Sequence, residues 1–268
     1  MSDPGDRADG HRGDRPPAER SLGALLRKRL ETALDRVEAA AAGRPLVALD
    51  AGCGERTAFR AVRARIGRLI GVDVHPPRDQ GPDVDEFLVA DLCAGPLPIP
   101  DGSVDVAASI FAVEHFADPG AAFRTIARAL APHGRLVLVT VNRRHPFVAA
   151  YFAVPGRLRT RLQRLVKRTA ADAHPLVGAC NDPAALRATL AAAGFVVEAL
   201  DGVGHLGAAW GRRRATRLLG RIGDRLAAPF PSRRSTIVVL ARRGPAVEPA
   251  RASTHPKRPA FPPDGGSR

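Results

Sequence analysis

The chain has 268 residues, of which 45% are hydrophobic and 25% charged, and its formal net charge is +14. This composition is ordinary for a globular protein with one main domain and a substantial core. No apolar run approaches the ~20 residues of a membrane-spanning helix, and the N-terminus lacks the basic start and apolar core of a signal peptide. We therefore expect a cytoplasmic protein.

Cysteine usage fits the same expectation. The three cysteines, Cys53, Cys93 and Cys180, are widely spaced and form no C-x-x-C pair. An odd, scattered set does not suggest a disulfide framework, and it lacks the paired spacing of a zinc site. The sequence therefore predicts no metal centre, and Cys53 is interpreted as a small buried residue.

Both ends of the chain have the composition of tails. Residues 1–20 mix Asp, Arg, Gly and Pro without periodicity, and residues 244–268 contain six prolines, which sustain neither a helix nor a strand ladder. We expect a disordered N-terminal tail and a disordered Pro-rich C-terminal tail. The folded domain is then predicted to span residues 21–243.

Helical and strand patterns alternate between the tails. An amphipathic helix is predicted from Ser21 to near Gly43. A second helix is predicted to end at 132–134, and a third to begin at Asp182-Pro183. Short apolar runs predict strands at 46–50, 69–73, 86–90, 104–110, 135–141, 196–200 and 235–240. This alternation is typical of a doubly wound α/β fold.

The most informative segment joins the first strand to the next helix. The run 47–54 is an apolar strand that ends in an acidic residue and two glycines, Gly52 and Gly54. A second apolar strand ends at Asp73, 21 residues after Gly52. Glycines allow a ligand to approach the backbone, and an ionised carboxylate at the next strand tip can accept both hydroxyl protons of a ribose. The spacing therefore predicts a nucleoside cofactor.

Neither the glycine pair nor its spacing identifies the cofactor. A bare G-x-G turn is a purely structural feature in roughly half of such matches. A dinucleotide-binding loop also has a third glycine three residues after the second, and Thr57 occupies that position here. The pattern therefore does not favour NAD.

The following segments are more specific. After Asp50-Ala51-Gly52-Cys53-Gly54 come three further runs in a fixed order, at 87–92, 97–109 and 110–116. This order resembles the class I S-adenosylmethionine-dependent methyltransferases, in particular the small-molecule group related to quinone-biosynthesis enzymes. The resemblance is strong over about residues 45–142 and extends over 181–243 by topology only.

The resemblance implies a Rossmann-like methyltransferase sheet of seven strands whose last pair is antiparallel, with S-adenosylmethionine as the cofactor. It assigns the cofactor contacts as follows: Asp50, Ala51, Gly52 and Gly54 to the methionine end, Asp73 to the ribose, Asp91 and Leu92 to adenine, and Phe111 beside the sulfonium. Arg56 is a departure, because the family usually has a third glycine there. We interpret this substitution as altered loop geometry rather than a lost site.

The segment 143–181 is longer than a normal strand-to-helix connection. Because it follows a strand end, where open sheets bind ligands, it is predicted to be a helical cap insertion over the substrate pocket. Its apolar part, 145–154, would suit a hydrophobic acceptor, although core packing explains such a run equally well.

Methyl transfer from a sulfonium requires mainly alignment, and a base is needed only when the acceptor must lose a proton. His115 directly follows the fourth strand, and its near-neutral pKa suits a general base. Members of the resembled family often carry Glu-His here without such a role, so both interpretations stay open. His145, His174 and Tyr151 are weaker candidates, and Glu114 is a candidate positioning residue.

The positive charge lies in the second half of the chain. Residues 142–244 contain 19 Arg and Lys against 5 Asp and Glu, which equals the whole net charge of +14. Much of this charge lies on two predicted amphipathic helices, at 157–168 and near 210–226. The pattern fits a solvated helix face, a peripheral contact with an anionic membrane, or recognition of an acidic substrate.

The sequence argues against nucleic acid as a partner. The basic runs are not interleaved with aromatic residues, since the chain has one Trp, one Tyr and 10 Phe in total. Base methyltransferases usually carry a polar-Pro-Pro-aromatic loop after the fourth strand, and Ser109-Ile110-Phe111-Ala112 stands there instead.

The sequence thus predicts methyl transfer from S-adenosylmethionine to a small, hydrophobic or acidic acceptor. The alternatives are a methyltransferase acting on tRNA or protein, and a non-enzymatic interaction module with the same fold. The oligomeric state cannot be predicted from these residues.

Overall fold

The computed structural model describes residues 17–77, 81, 83–155, 158, 177–211 and 213–245. Most of the two expected tails lies outside this part of the chain, and so does the predicted basic helix at 157–168 except for Leu158. The described strands are β1 (Val47–Ala51), β2 (Arg68–Asp73), β3 (Glu86–Val89), β4 (Val104–Ile110), β5 (Leu130–Val141), β6 (Phe195–Val203) and β7 (Thr236–Arg243).

The described α-helices are α1 (Pro17–Ala41), α2 (Pro119–Ala129), α3 (Pro146–Ala153), α4 (Pro183–Ala192), α5 (Leu206–Ala209) and α6 (Arg214–Ala227). Short 3₁₀ helices occupy Ala58–Arg65, Val113–His115 and Pro231–Arg233. Asp118 and Asp182 cap α2 and α4, and each carboxylate accepts backbone N–H bonds from the first turn.

The strands form one sheet in the order β3-β2-β1-β4-β5-β7-β6. Strand β7 is antiparallel to both β5 and β6, and the other neighbouring pairs are parallel. The predicted doubly wound fold with an antiparallel last pair is therefore confirmed. Strand order reverses between β1 and β4, and an open α/β sheet binds its ligand at the carboxyl ends of such strands.

Helices cover both faces of the sheet, and alternate residues of each strand point to opposite sides. Leu49 and Ala51 of β1 pack with α2 and α4, whereas Ala48 packs with α1 and the 3₁₀ helix at Ala58–Arg65. This double cover explains why the strands are nearly continuous apolar runs rather than alternating ones.

Two boundaries differ from the sequence expectation. Helix α1 begins at Pro17, within the expected tail, and the fixed φ of proline is compatible with a first helical turn. Strand β5 begins at Leu130, which was expected to lie in a helix that ends at 132–134. Leu130 pairs with Val104, and the register shifts before the next pair, Val106 with Arg135. Tertiary pairing has therefore replaced the local helical preference.

Candidate cofactor and acceptor cavity

A cavity of about 870 Å³ opens at the carboxyl edge of the sheet. This volume lies within the range of small-molecule and cofactor sites. Its wall contains seven of the nine predicted site residues: Gly52, Gly54, Asp73, Asp91, Leu92, Phe111 and His115. Segments that are far apart in sequence are thus brought around one space.

The turn after β1 requires glycine for two independent reasons. Gly52 has a φ of +79°, and a Cβ added there would lie 2.4 Å from the Cβ of Ala112. Gly54 also has a positive φ, +53°, but a Cβ there would meet no atom within 4 Å. The first glycine therefore permits close packing on the segment after β4, and the second leaves open space for a ligand.

Asp73 lies at the tip of β2 with its carboxylate turned toward this loop. Its Oδ2 accepts the Gly54 N–H at 3.0 Å, and its Oδ1 accepts the His75 N–H at 3.2 Å. A carboxylate has about four acceptor positions, so two remain for a ligand diol. The loop bonds fix the carboxylate orientation in advance, which reduces the entropy lost on binding.

The predicted adenine-binding segment follows β3. The Ala90 N–H donates to the Asp73 carbonyl at 2.9 Å, which holds the segment beside the tip of β2. Leu92 is buried, whereas Asp91 is exposed and its Oδ1 accepts the Cys93 N–H at 2.8 Å. The aliphatic side chain and the carboxylate therefore border the same cavity with different chemistry.

Phe111 and His115 border the other side of the cavity. Phe111 has a φ of +54°, unusual for a bulky residue, while its N–H donates to the Val139 carbonyl at 2.8 Å. Its ring stacks on the His205 imidazole with centroids 5.8 Å apart. His115 ends the 3₁₀ turn Val113–His115, and its N–H donates to the Ala112 carbonyl at 2.9 Å.

Asp50 and Ala51 are not among the residues that line the cavity, so their direct contact with the methionine end stays a prediction. Asp50 is 1% exposed, and its carboxylate accepts the Ala58 N–H at 2.7 Å. Burial raises its pKa to about 6, against the opposing effect of the bonds from Ala58 and Thr57. Ala51 lies in the core. Asp50 therefore supports the glycine loop from below.

Cys53 is a packing residue of the same loop. Its thiol is buried, and desolvation, together with the nearby charges of Asp50 and Asp73, raises its pKa to about 12. A Cβ on Gly71 would lie 2.9 Å from the Cys53 Sγ. A thiol that stays protonated near neutral pH is a poor nucleophile, which agrees with the structural interpretation.

Glu114 positions the rim of the cavity. It is 3% exposed, and the Thr140 hydroxyl donates to its Oε2 at 2.8 Å. Its backbone carbonyl accepts the N–H groups of Val177 and Gly178, at 2.8 and 3.1 Å. Val177 is thereby held on the cavity wall, and the adjacent Glu-His pair was the only sequence signal for this role.

The other candidate residues lie elsewhere. His145 is fully buried as the N-cap of α3, where its Nδ1 accepts the Phe147 N–H, and burial lowers its pKa. Tyr151 lies on α3 and is not among the cavity residues, and His174 is outside the described part of the chain. His205, which stacks on Phe111, had no sequence signal because the two residues are 94 positions apart.

Arg56 does not fill the loop. Its backbone N–H donates to the Cys53 carbonyl at 3.3 Å, while its side chain is exposed and borders the cavity together with Glu55. The residues present therefore fit a nucleoside cofactor despite the missing third glycine.

Two further properties concern the described residues alone. No group of three or more His, Cys, Asp or Glu side chains in this part of the chain could hold a metal ion. None of its helices combines the length and the apolar character that crossing a bilayer would demand.

A doubly wound sheet with a glycine loop at the switch point and carboxylates at successive strand tips defines the class I methyltransferase fold. Residues 49–138 match a family described as a methyltransferase domain. The chain is 32% identical over 194 residues to the demethylmenaquinone methyltransferase of Thermus thermophilus, covering 66% of this chain and 84% of that protein. The chain belongs to the S-adenosylmethionine-dependent methyltransferases and is related to the quinone methyltransferases.

Two other comparisons concern the family and the fold. A Mycobacterium tuberculosis protein named "probable S-adenosylmethionine-dependent methyltransferase" is 36% identical over 100 residues, 35% of each chain. The geranyl diphosphate C-methyltransferase of Streptomyces coelicolor, solved with Mg²⁺, geranyl diphosphate and S-adenosyl-L-homocysteine, shares the fold. Its TM-score is 0.51 at 16% identity, with 86% of each chain covered. The cofactor of the present enzyme is S-adenosylmethionine.

Proposed function

We propose that this methyltransferase acts on a small-molecule acceptor that is hydrophobic or acidic. The observation that carries the proposal is the lining of the cavity beyond the cofactor loop. There the wall is formed by Ile110, Phe111, Ala112, Phe116 and Val177, with His115 among them. An apolar wall with one titratable side chain suits a compact acceptor with a single ionisable group.

We propose that the cofactor is held by backbone groups of Gly52 and Gly54, with its ribose on the Asp73 carboxylate. Asp91 and Leu92 would bind the adenine through a carboxylate and an apolar contact, and Phe111 would border the sulfonium. When bound, the cofactor supplies an activated methyl group. The protein then contributes chiefly by aligning the acceptor with that group and by excluding water.

His115 is proposed as the general base for acceptors that lose a proton. It lines the same cavity as Phe111 and follows that residue by four positions. We expect His115→Gln to bind S-adenosylhomocysteine with unchanged affinity but to reduce kcat by roughly 10²-fold or more, the lower limit for general-base catalysis. The acidic limb of the pH–rate profile, which reports protonation of the base, should also be lost. Full activity with an unchanged profile would remove His115 from this role.

The acceptor class is tested with S-adenosylmethionine carrying a tritiated methyl group. The purified protein is incubated with cell extract, and the label is separated into organic-soluble, water-soluble and acid-precipitated fractions. Label in either of the first two fractions supports a small acceptor and distinguishes hydrophobic from acidic compounds. Label only in precipitated protein or RNA, or no transfer above an Asp73→Ala control, would overturn the proposal.

A further inference from the structure

Helix α6 is oriented with its small residues toward the protein and its leucines toward solvent. Gly220, Gly223 and Ala227 are its buried positions. Phe230, just beyond the helix, is 54% exposed. Four aliphatic side chains of the helix are also exposed: Leu218 at 59%, Leu219 at 47%, Ile222 at 44% and Leu226 at 67%. An ordinary amphipathic helix would bury these side chains in the core.

Close backbone packing fixes this orientation. A Cβ on Gly220 would lie 2.7 Å from the Leu206 carbonyl oxygen, and one on Gly223 would lie 2.8 Å from the Phe147 ring. The Asp224 carboxylate accepts the Gly207 N–H at 2.9 Å and the Ser235 hydroxyl at 2.6 Å. Rotating the leucines inward would break these bonds and force larger side chains into the contact with α5.

The charge beside the exposed leucines is positive. Helix α6 contains four arginines and a single acidic residue, Asp224, which is turned inward. Arg214, Arg221 and Arg225 are exposed, and at 100° per residue they lie next to Leu218, on one side of the aliphatic stripe and opposite Leu226. An aliphatic stripe bordered by arginines, without an exposed acid, is complementary to the anionic headgroups and upper acyl chains of a bilayer.

We infer that α6 and Phe230 form a peripheral docking surface for an anionic lipid bilayer. A second copy of this face is a poorer occupant, because a two-fold contact would bring its arginines together. Residues 156–176 are also a poorer occupant of this surface, because they carry six basic residues and one acidic residue and would be repelled by its arginines. This inference concerns the surface and does not depend on the proposed acceptor.

The docking surface lies close to the cavity. His205, which stacks on Phe111, directly precedes α5, and α5 packs against α6 through Gly207 and Gly220. Trp210 at the end of α5 stacks on Phe147, which in turn contacts Gly223. A bilayer in contact with α6 would therefore be separated from Phe111 by little more than α5 and His205, which would suit an acceptor that partitions into lipid.

The test is flotation of the full-length protein with vesicles of phosphatidylcholine alone and with an equimolar mixture of phosphatidylcholine and phosphatidylglycerol. We expect binding to the mixed vesicles only, with weaker binding as salt is raised. Leu218→Gln combined with Leu226→Gln should reduce the partition coefficient by about tenfold or more. Arg221→Gln and Arg225→Gln should each reduce it by about fivefold.

Val196→Gln is the matched control, since Val196 is a 40% exposed aliphatic residue on β6. It should bind vesicles as the wild type does. The leucine double variant should keep its Tm within about 2 °C, because the substituted side chains are exposed. A large fall in Tm would show that protein atoms cover the leucines and would overturn the inference.

Three other results would overturn it as well: a wild-type protein that ignores the mixed vesicles, a leucine double variant that binds them fully, and a wild-type dimer that the double variant converts to a monomer. Calorimetry with S-adenosylhomocysteine is run on the same variants. Unchanged cofactor affinity separates a failure of the docking surface from a failure of the catalytic proposal.

Discussion

The two ends of the sheet use their residues differently. Around β1, β2 and β3 the cavity is formed by backbone turns and by carboxylates that accept neighbouring N–H groups, as Asp73 does from Gly54 and His75. Around β6 and β7 the structure depends on contacts between distant segments, such as Phe111 with His205 and Asp224 with Gly207. The first end therefore depends mainly on backbone turns and strand-tip carboxylates, and the second on side-chain contacts between distant segments.

Charge follows the same division. The chain outside 142–244 is neutral, whereas 142–244 carries the entire net charge of +14. A cofactor is the same in all members of a family, but acceptors and surroundings differ between members. We propose that the β1–β3 end serves the shared cofactor, and that the charged end serves what is particular to this enzyme.

The largest expected effect is at Gly52, in the loop of the β1–β3 end. We expect Gly52→Ala to lower the free energy of unfolding by about 2–5 kcal/mol, because it combines a disfavoured positive φ with a contact far inside van der Waals distance. Urea denaturation measures the loss, and calorimetry should show weaker binding of S-adenosylhomocysteine.

Gly54→Ala is the matched control for that prediction. Its φ is also positive, but a Cβ there meets nothing within 4 Å. The expected loss is therefore only about 1 kcal/mol. Equal losses in the two variants would mean that backbone strain alone, and not the contact with Ala112, requires the first glycine.

These contrasts show what could be predicted from sequence. The glycine loop and Asp73 were recognisable because backbone conformation and strand-tip position impose residue types at fixed spacing. The inward orientation of Asp50 was not recognisable, since β1 ends in a buried turn whose N–H groups only the folded loop brings within reach. The outward leucines of α6 follow from glycine packing against α5, which helical periodicity alone does not predict.

The next prediction concerns Asp50 and the pH dependence of stability. The carboxyl pKa is raised from 3.8 to about 6 in the folded protein. The folded state therefore holds the proton more tightly, and the stability gained is fully present below about pH 4 and lost as pH rises through about 6. Relative to Asp50→Asn, the free energy of unfolding of the wild type should fall by about 3 kcal/mol as pH rises through this interval.

The measurement is urea denaturation of both proteins at a series of pH values. The asparagine Oδ1 can still accept the Ala58 N–H, so the variant isolates the ionisation from the hydrogen bond. If the difference in free energy of unfolding between the wild type and the variant stays constant with pH, Asp50 ionises equally in the folded and unfolded chains. That result would also remove the proposed cost of a buried charge beneath the loop.

The smallest expected effect is on cofactor affinity at Asp73. Asp73→Ala should weaken S-adenosylhomocysteine binding by about 1–3 kcal/mol, the range for hydrogen bonds to a charged group. Asp73→Asn keeps an acceptor for the Gly54 N–H but loses the charge, so its affinity for S-adenosylhomocysteine should lie between those of the wild type and Asp73→Ala. Arg56→Ala, at an exposed side chain in the same loop, should change affinity less than either. If Asp73→Ala bound as tightly as the wild type, the carboxylate would serve the loop alone and the ribose would be held by other groups.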